Sequence, residues 1–218
     1  MDLDEAKKTI EDGGIVVFPT ETAYGIAADA TNPDAVEKVY RAKDRPRSKG
    51  LTVIVNSLEQ AEKYCELSEE EREAVREFMP GPLTFVAEKN DRVPEDLNEN
   101  FVFRISSDEI ARELAENTPI TATSANLSGN DTSYSVEEIH DSLLERVDGV
   151  IDKGRLERRS TSTITGINNR EVKIYREGPV SREDLEEVIE DGVGRDSHSG
   201  VRADDSDSDG PGDNRKED

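Results

Sequence analysis

Over its first 190 residues the chain keeps changing the period of its apolar positions, and no other feature narrows its fold so far. Leu3, Ala6 and Ile10 share one helical face, and Gly13-Gly14 ends that helix ahead of the continuous run IVVF at 15–18. Pro33 opens a second helix, capped by Thr31 or Asn32, with Ala35, Val36, Val39 and Tyr40 as its buried stripe. LTVIV (51–55) then reads as a short buried strand, and Ser68 with Glu71 as a capping box before Ala74, Val75 and Phe78. LTFVA (83–87), FVFRI (101–105) and ITAT (120–123) read as strands, with a helix carrying Ile110, Ala111 and Leu114 capped by Ser107. A second capping box at Ser135 and Glu138 precedes Ile139, Leu143 and Leu144. TSTITG and EVKIY flank the turn-like NNR as a hairpin, and a last helix covers about Ser181 to Glu190. Elements alternating in this way specify an α/β domain built on a mixed, twisted sheet with flanking helices.

The periodicity stops near residue 190. Residues 191–218 hold nine acidic and four basic residues, dense with Ser and Gly, and read as an acidic disordered tail after a domain at 1–190. The tail carries −5 of the net −23, so the domain itself holds −18. Such acidity opposes nonspecific attraction to nucleic acid or anionic membranes. Combined with an apolar fraction of only 33% and no Trp, it resembles adaptation to concentrated salt, where screening mutes self-repulsion. Cys65 is the only cysteine, which excludes an intramolecular disulfide. The acidic N-terminus lacks the apolar stretch of a signal peptide, and no apolar run approaches the ~20 residues that span a bilayer. The expectation is a soluble, cytoplasmic protein.

Common chemistries are missing. There is no Walker A sequence and no GxGxxG, and the two histidines, His140 and His198, fall on a helix face and in the tail. A Ser-His-Asp triad or a His/Cys zinc site is not supported, and no metal ligands are expected.

Four polar segments follow apolar strands, where open α/β sheets bind ligands. PTETAYG (19–25) reads equally as a ligand loop or as an ordinary turn with Tyr24 packed over its edge. RAKDRPRSKG (41–50) gathers five cations into an acidic chain. A helix dipole accounts for two of them, but Arg47 and Lys49 lie beyond Pro46, so an anion site is favoured over a solvated loop. TATSANLSGN (121–130) brings hydroxyls and an amide beside Gly129, and STSTITG (160–166) comes before Arg176 of YREGP. Arg104 interrupts the apolar FVFRI, which is costly in a buried site without an anionic partner and means nothing on an exposed face.

In this order GGIVVFPTETAYGIAADA, KDRP..KGL, MPGPLTFV, FRIS, TSANLSG, STSTI and IYREGP resemble the YrdC-like family of threonylcarbamoyl-AMP synthases, over roughly residues 1 to 180. The resemblance implies a twisted α/β fold with a concave basic cleft. It also implies an enzyme that joins ATP, L-threonine and bicarbonate into threonylcarbamoyl-adenylate and pyrophosphate, with Mg2+ held by ATP. The adenylate would serve the modification of tRNA adenosine 37 through a separate transferase machinery. Carried over by motif, Thr22, Arg104, Thr123 and Ser162 line the threonine side. Lys43, Arg45 and Lys49 face the triphosphate, with Lys43 and Arg45 catalytic, while Ser124, Asn126 and Arg176 contact the nucleotide. The chain looks like the short, single-domain form. Two departures stand out: Ile54 replaces a histidine of some members, and RRST replaces the usual glutamate-like partner before Ser162. The alternative from another class is a noncatalytic RNA-binding protein in tRNA or ribosome maturation.

Overall fold

A computed structural model describes residues 1–95 and 97–196, with no account of the side chains of 191–196. α1 (Leu3–Glu11) starts at Asp2, whose carboxylate accepts the Glu5 N–H, and stops where Gly13 takes φ +78°. β1 (Val16–Pro19) turns back as β2 (Tyr24–Ala27), antiparallel and in register from Val16 opposite Ala27 to Pro19 opposite Tyr24. Asn32 caps α2 (Pro33–Ala42) by accepting the Asp34 and Ala35 N–H groups. β3 (Val53–Ile54) uses only the centre of LTVIV. α3 (Leu58–Ala61) and β4 (Cys65–Glu66) are short elements that periodicity does not resolve. The Ser68–Glu71 capping box is present on α4 (Glu69–Phe78).

Two expected caps are corrected. α5 (Glu109–Leu114) is capped by Asp108, not Ser107, because the Asp108 carboxylate reaches the Ile110 and Ala111 N–H groups. Ser135 makes no capping bond, and the Glu138 carboxylate accepts the Tyr134 N–H and pairs with Arg155 instead. A short 3-10 turn at Val136–Glu138 leads to α6 (Asp141–Leu144), where His140 Nδ1 accepts the Ser142 N–H.

β5 (Leu83–Lys89) and β6 (Phe101–Arg104) lie at the centre of the larger, seven-stranded sheet, ordered β11-β10-β5-β6-β3-β7 with β4 joined to β5. Here β7 is Ile120–Thr121, β10 Thr163–Asn168 and β11 Glu171–Arg176. The smaller sheet runs β8-β2-β1-β9, with β8 Thr123–Ser124 and β9 Gly149–Val150. ITAT is therefore two strands in two sheets. The chain crosses between them at Ala122, whose N–H goes to the Thr52 carbonyl.

Both faces of β1 are covered, which is why IVVF is a continuous apolar run. Val17 joins the main core, while Val16 and Phe18 join a smaller one with Ala6 and Ile10 of α1 and Ala111 and Leu114 of α5. α7 (Arg182–Asp196) continues past the boundary drawn from composition at residue 190. The remainder of the expected tail, 197–218, lies outside the described residues.

Candidate active site

The two sheets meet around a cavity of ≈ 290 Å³. Its first wall is the β1–β2 turn. Thr20 Oγ1 donates to the Ala23 carbonyl at 2.7 Å and accepts the N–H groups of Thr22 and Ala23, so PTETA is a hydroxyl-braced turn that presents Thr22. Tyr24 is fully buried rather than draped over an edge. Its hydroxyl donates to the Gly154 carbonyl at 2.8 Å and accepts the Lys153 N–H at 2.9 Å, tethering the extended segment 151–162 to the same wall. Burial raises the pKa of that phenol.

The opposite wall comes from strand ends of the larger sheet. Thr84 at the start of β5 shares a hydrogen bond with Ser162, Oγ to Oγ at 2.7 Å. Arg176, at the end of β11, donates Nε and a terminal N–H to the Ser162 carbonyl at 3.0 and 2.8 Å. Gly178 makes this close approach possible, since a Cβ there would lie 2.7 Å from the Ser162 carbonyl carbon. Arg104, from the end of β6, also faces the cavity. It is a buried strand arginine with an anionic partner, Glu21, at 2.5 Å.

Of the residues chosen from sequence, Thr22, Arg45, Arg104, Thr123, Ser124, Ser162 and Arg176 converge on this cavity. Arg45 is tied to its own loop, donating Nε to the Lys49 carbonyl and a terminal N–H to Gly50, each at 2.8 Å. Lys49 is exposed. Asn126 borders a separate cavity, with Leu127, Asn130 and His140. Lys43 differs most from expectation. Its side chain is buried, and Nζ turns to the Ser124 and Asn126 carbonyls, the latter at 2.7 Å, with Asn126 Oδ1 at 3.4 Å. It braces the TSAN loop from behind instead of standing on the cavity wall. Burial, helped by Arg45, pushes its pKa down to about 7.

Burial also lowers the pKa of the Arg45, Arg104 and Arg176 guanidiniums. Glu21 opposes the effect at Arg104, and Arg104 adds to it at Arg176. Arginine starts so high that all three stay cationic. The charged side chains on the walls are these three and Arg159, so the cavity suits anions. Arg159, Tyr134 and Thr84 also line the cavity, and local sequence pattern does not mark them as site residues. Thr84 lies within the motif MPGPLTFV, but only the parallel pairing of β5 with β10 brings it to Ser162. Among the described residues no group of three His, Cys, Asp or Glu is placed to hold a metal ion. Burial raises the Cys65 thiol to about 12, with Glu71 and Glu62 adding to the effect, so it offers no thiolate near neutral pH.

Comparison with known proteins bears on the same stretch. A model of the Sua5/YciO/YrdC family, described as "Telomere recombination", matches residues 8–178. A putative threonylcarbamoyl-AMP synthase of Methanocaldococcus jannaschii is 37% identical over 179 residues, covering 82% of this chain and 86% of the relative. The threonylcarbamoyl-AMP synthase of Pyrococcus abyssi is 33% identical over 186 residues, 83% of this chain and 55% of that one. The crystal structure of P. abyssi Sua5 complexed with L-threonine superposes with a TM-score of 0.80 at 33% identity, covering 86% of this chain and 57% of that chain.

Proposed function

The chain belongs to the Sua5/YciO/YrdC family, and on that premise we propose that it is an L-threonylcarbamoyladenylate synthase. It joins L-threonine, bicarbonate and ATP into threonylcarbamoyl-AMP and releases pyrophosphate. The enzyme class rests on relatives that carry that name. The observation that carries the site is the convergence of Thr22, Arg45, Arg104, Thr123, Ser124, Ser162 and Arg176 on one cavity between the sheets.

The threonine amine condenses with bicarbonate, losing water, to give N-carboxy-threonine. A carboxylate oxygen of that carbamate attacks the α-phosphorus as the bond to pyrophosphate breaks. Arg104 receives the amino-acid carboxylate, with Thr22, Thr123 and Ser162 around the rest of threonine. Arg45 and Lys49 serve the triphosphate, Lys43 supports Ser124 and Asn126 from behind, and Arg176 reaches the nucleotide. No enzyme nucleophile is required. The protein contributes positioning and neutralises charge that grows on the leaving group. Magnesium arrives with ATP as part of the substrate. The adenylate then passes to a tRNA-modifying transferase that acts on adenosine 37, which assigns the protein to the cytoplasm. Among the described residues no helix is long and apolar enough to cross a membrane.

The test is a pyrophosphate-release assay with ATP, magnesium, bicarbonate and L-threonine at high salt. Release that requires both threonine and bicarbonate is expected. RNA binding without such turnover would favour the noncatalytic alternative.

A further inference from the structure

Glu21 pairs with Arg104 of the cavity wall, and its carboxylate is held from both ends. Oε1 accepts from an Arg104 terminal N–H at 2.5 Å, and Oε2 accepts the Ser106 hydroxyl. The two side chains are only 10% and 9% exposed, so the pair is shielded from water. It also joins the β1–β2 turn of the smaller sheet to the end of β6 in the larger. A guanidinium carries five N–H donors, and Glu21 engages it through one terminal nitrogen. No fully buried side-chain nitrogen or oxygen among the described residues lacks a partner. The remaining Arg104 donors are therefore those that keep some surface, and that surface lines the cavity.

We infer that Glu21 is a positioning residue that fixes the Arg104 fork so that its free edge faces the carboxylate of the amino-acid substrate. The inference rests on the function proposed above. Charge supports positioning over competition. Glu21 balances Arg104, and Arg176 stands close enough to depress further in the field of Arg104. Glu21 offsets only one of the four wall arginines, so the cavity keeps positive charge for a ligand carboxylate without expelling Glu21, which Ser106 holds in place. Without the Glu21 charge, the bond that sets the direction of Arg104 becomes a weaker, neutral one, and Arg104 loses part of what offsets its desolvation.

The experiment compares wild type, Glu21→Gln and Ser106→Ala in the pyrophosphate-release assay, with thermal midpoints recorded for each. Glu21→Gln is expected to raise the threonine KM about tenfold while leaving the ATP KM within about twofold. L-Threoninol keeps the amine and the side-chain hydroxyl but lacks the carboxylate. Its inhibition constant should stay within about twofold in the variant, a split that general loosening of the site does not produce. Ser106→Ala keeps the charge pair and frees one carboxylate oxygen, so about a threefold rise in threonine KM is expected, which covers the case of an unfolded Glu21→Gln. The inference is overturned if the threonine KM is unchanged or lowered in both variants, or if the threoninol constant rises in parallel with it. Wild type without threonine-dependent turnover overturns the underlying function instead.

Discussion

Lys43 is among the largest fully buried side chains of the protein, a cation surrounded by the carbonyls of Ser124 and Asn126 and flanked by Arg45. Its motif neighbours identify it as a site residue, yet the sequence reading aims it at a triphosphate. What that reading lacks is the direction of the side chain. Lys43 is the residue that follows α2, and its backbone carbonyl also accepts the Ser128 N–H. Position and partner both come from the tertiary packing of α2 against the TSAN loop. The buried ammonium has a consequence for pH. In the unfolded chain a lysine keeps its proton to about pH 10.4, whereas here burial lowers the value to about 7. Between those values the unfolded state binds more protons, so this group makes stability rise with pH and withdraws that gain as pH falls toward 7. Lys43→Met removes the titration, though it leaves the Asn126 carbonyl without its donor, while the Ser124 carbonyl keeps the Asn126 N–H and Asn126 Oδ1 keeps the Ser124 hydroxyl. The difference in unfolding free energy between wild type and Lys43→Met, from denaturant midpoints, should therefore increase from about pH 7 to about pH 9. A flat difference would mean that the carbonyls keep Lys43 protonated in the fold.

Helices and long strands were legible because their apolar period is local, and α1, α2, α4 and the β10–β11 hairpin stand where that period puts them. Short elements depend on partners distant in sequence. ITAT has the residues of one strand, but Thr121 pairs with Val53 in one sheet and Thr123 with Ile26 in the other. That division is what brings Thr123 and Ser124 to the cavity wall, and nothing within four residues encodes it. Asp108 displaces Ser107 as a cap for a similar reason, since Ser106, Arg112 and Lys153 all bond to the backbone or side chain of that corner. Gly178 tests the element scale directly. Its missing side chain lets the chain after β11 lie against the backbone that enters β10 at Thr161, Ser162 and Thr163. Gly178→Ala should cost about 1–3 kcal/mol, because the neighbours it meets are backbone atoms that cannot rotate away. The displaced Ser162 also holds Arg176 and Thr84, so kcat/KM for threonine should drop about tenfold, or about 1.4 kcal/mol. Steady-state kinetics alongside thermal melting check both, and an active variant of unchanged midpoint would show that this contact yields freely.

At the scale of the molecule, 51 acidic residues face 28 basic ones, and among the described residues most ion pairs lie at the surface. Arg76 pairs with Glu69 at 2.7 Å on α4, and Arg41 with Glu37 at 2.7 Å on α2. Each such pair is worth about 0–1 kcal/mol, and salt screens it. Salt also screens the repulsion among the surplus carboxylates, which acts across the whole surface and grows with net charge. The Debye length shrinks from about 10 Å at 0.1 M to about 3 Å at 1 M, so distant repulsions fade first while pairs in contact retain more of their attraction. Repulsion is therefore the larger loss, and salt should stabilise the fold. The thermal midpoint is expected to rise steadily from about 0.1 M to about 1 M KCl, with most of the gain at the low end where screening changes fastest. Replacing several unpaired surface carboxylates by their amides should flatten that rise, because it removes the charge on which the effect depends. A midpoint that falls with KCl would instead mean that surface ion pairs outweigh repulsion, and that the acidity serves something other than life in concentrated salt.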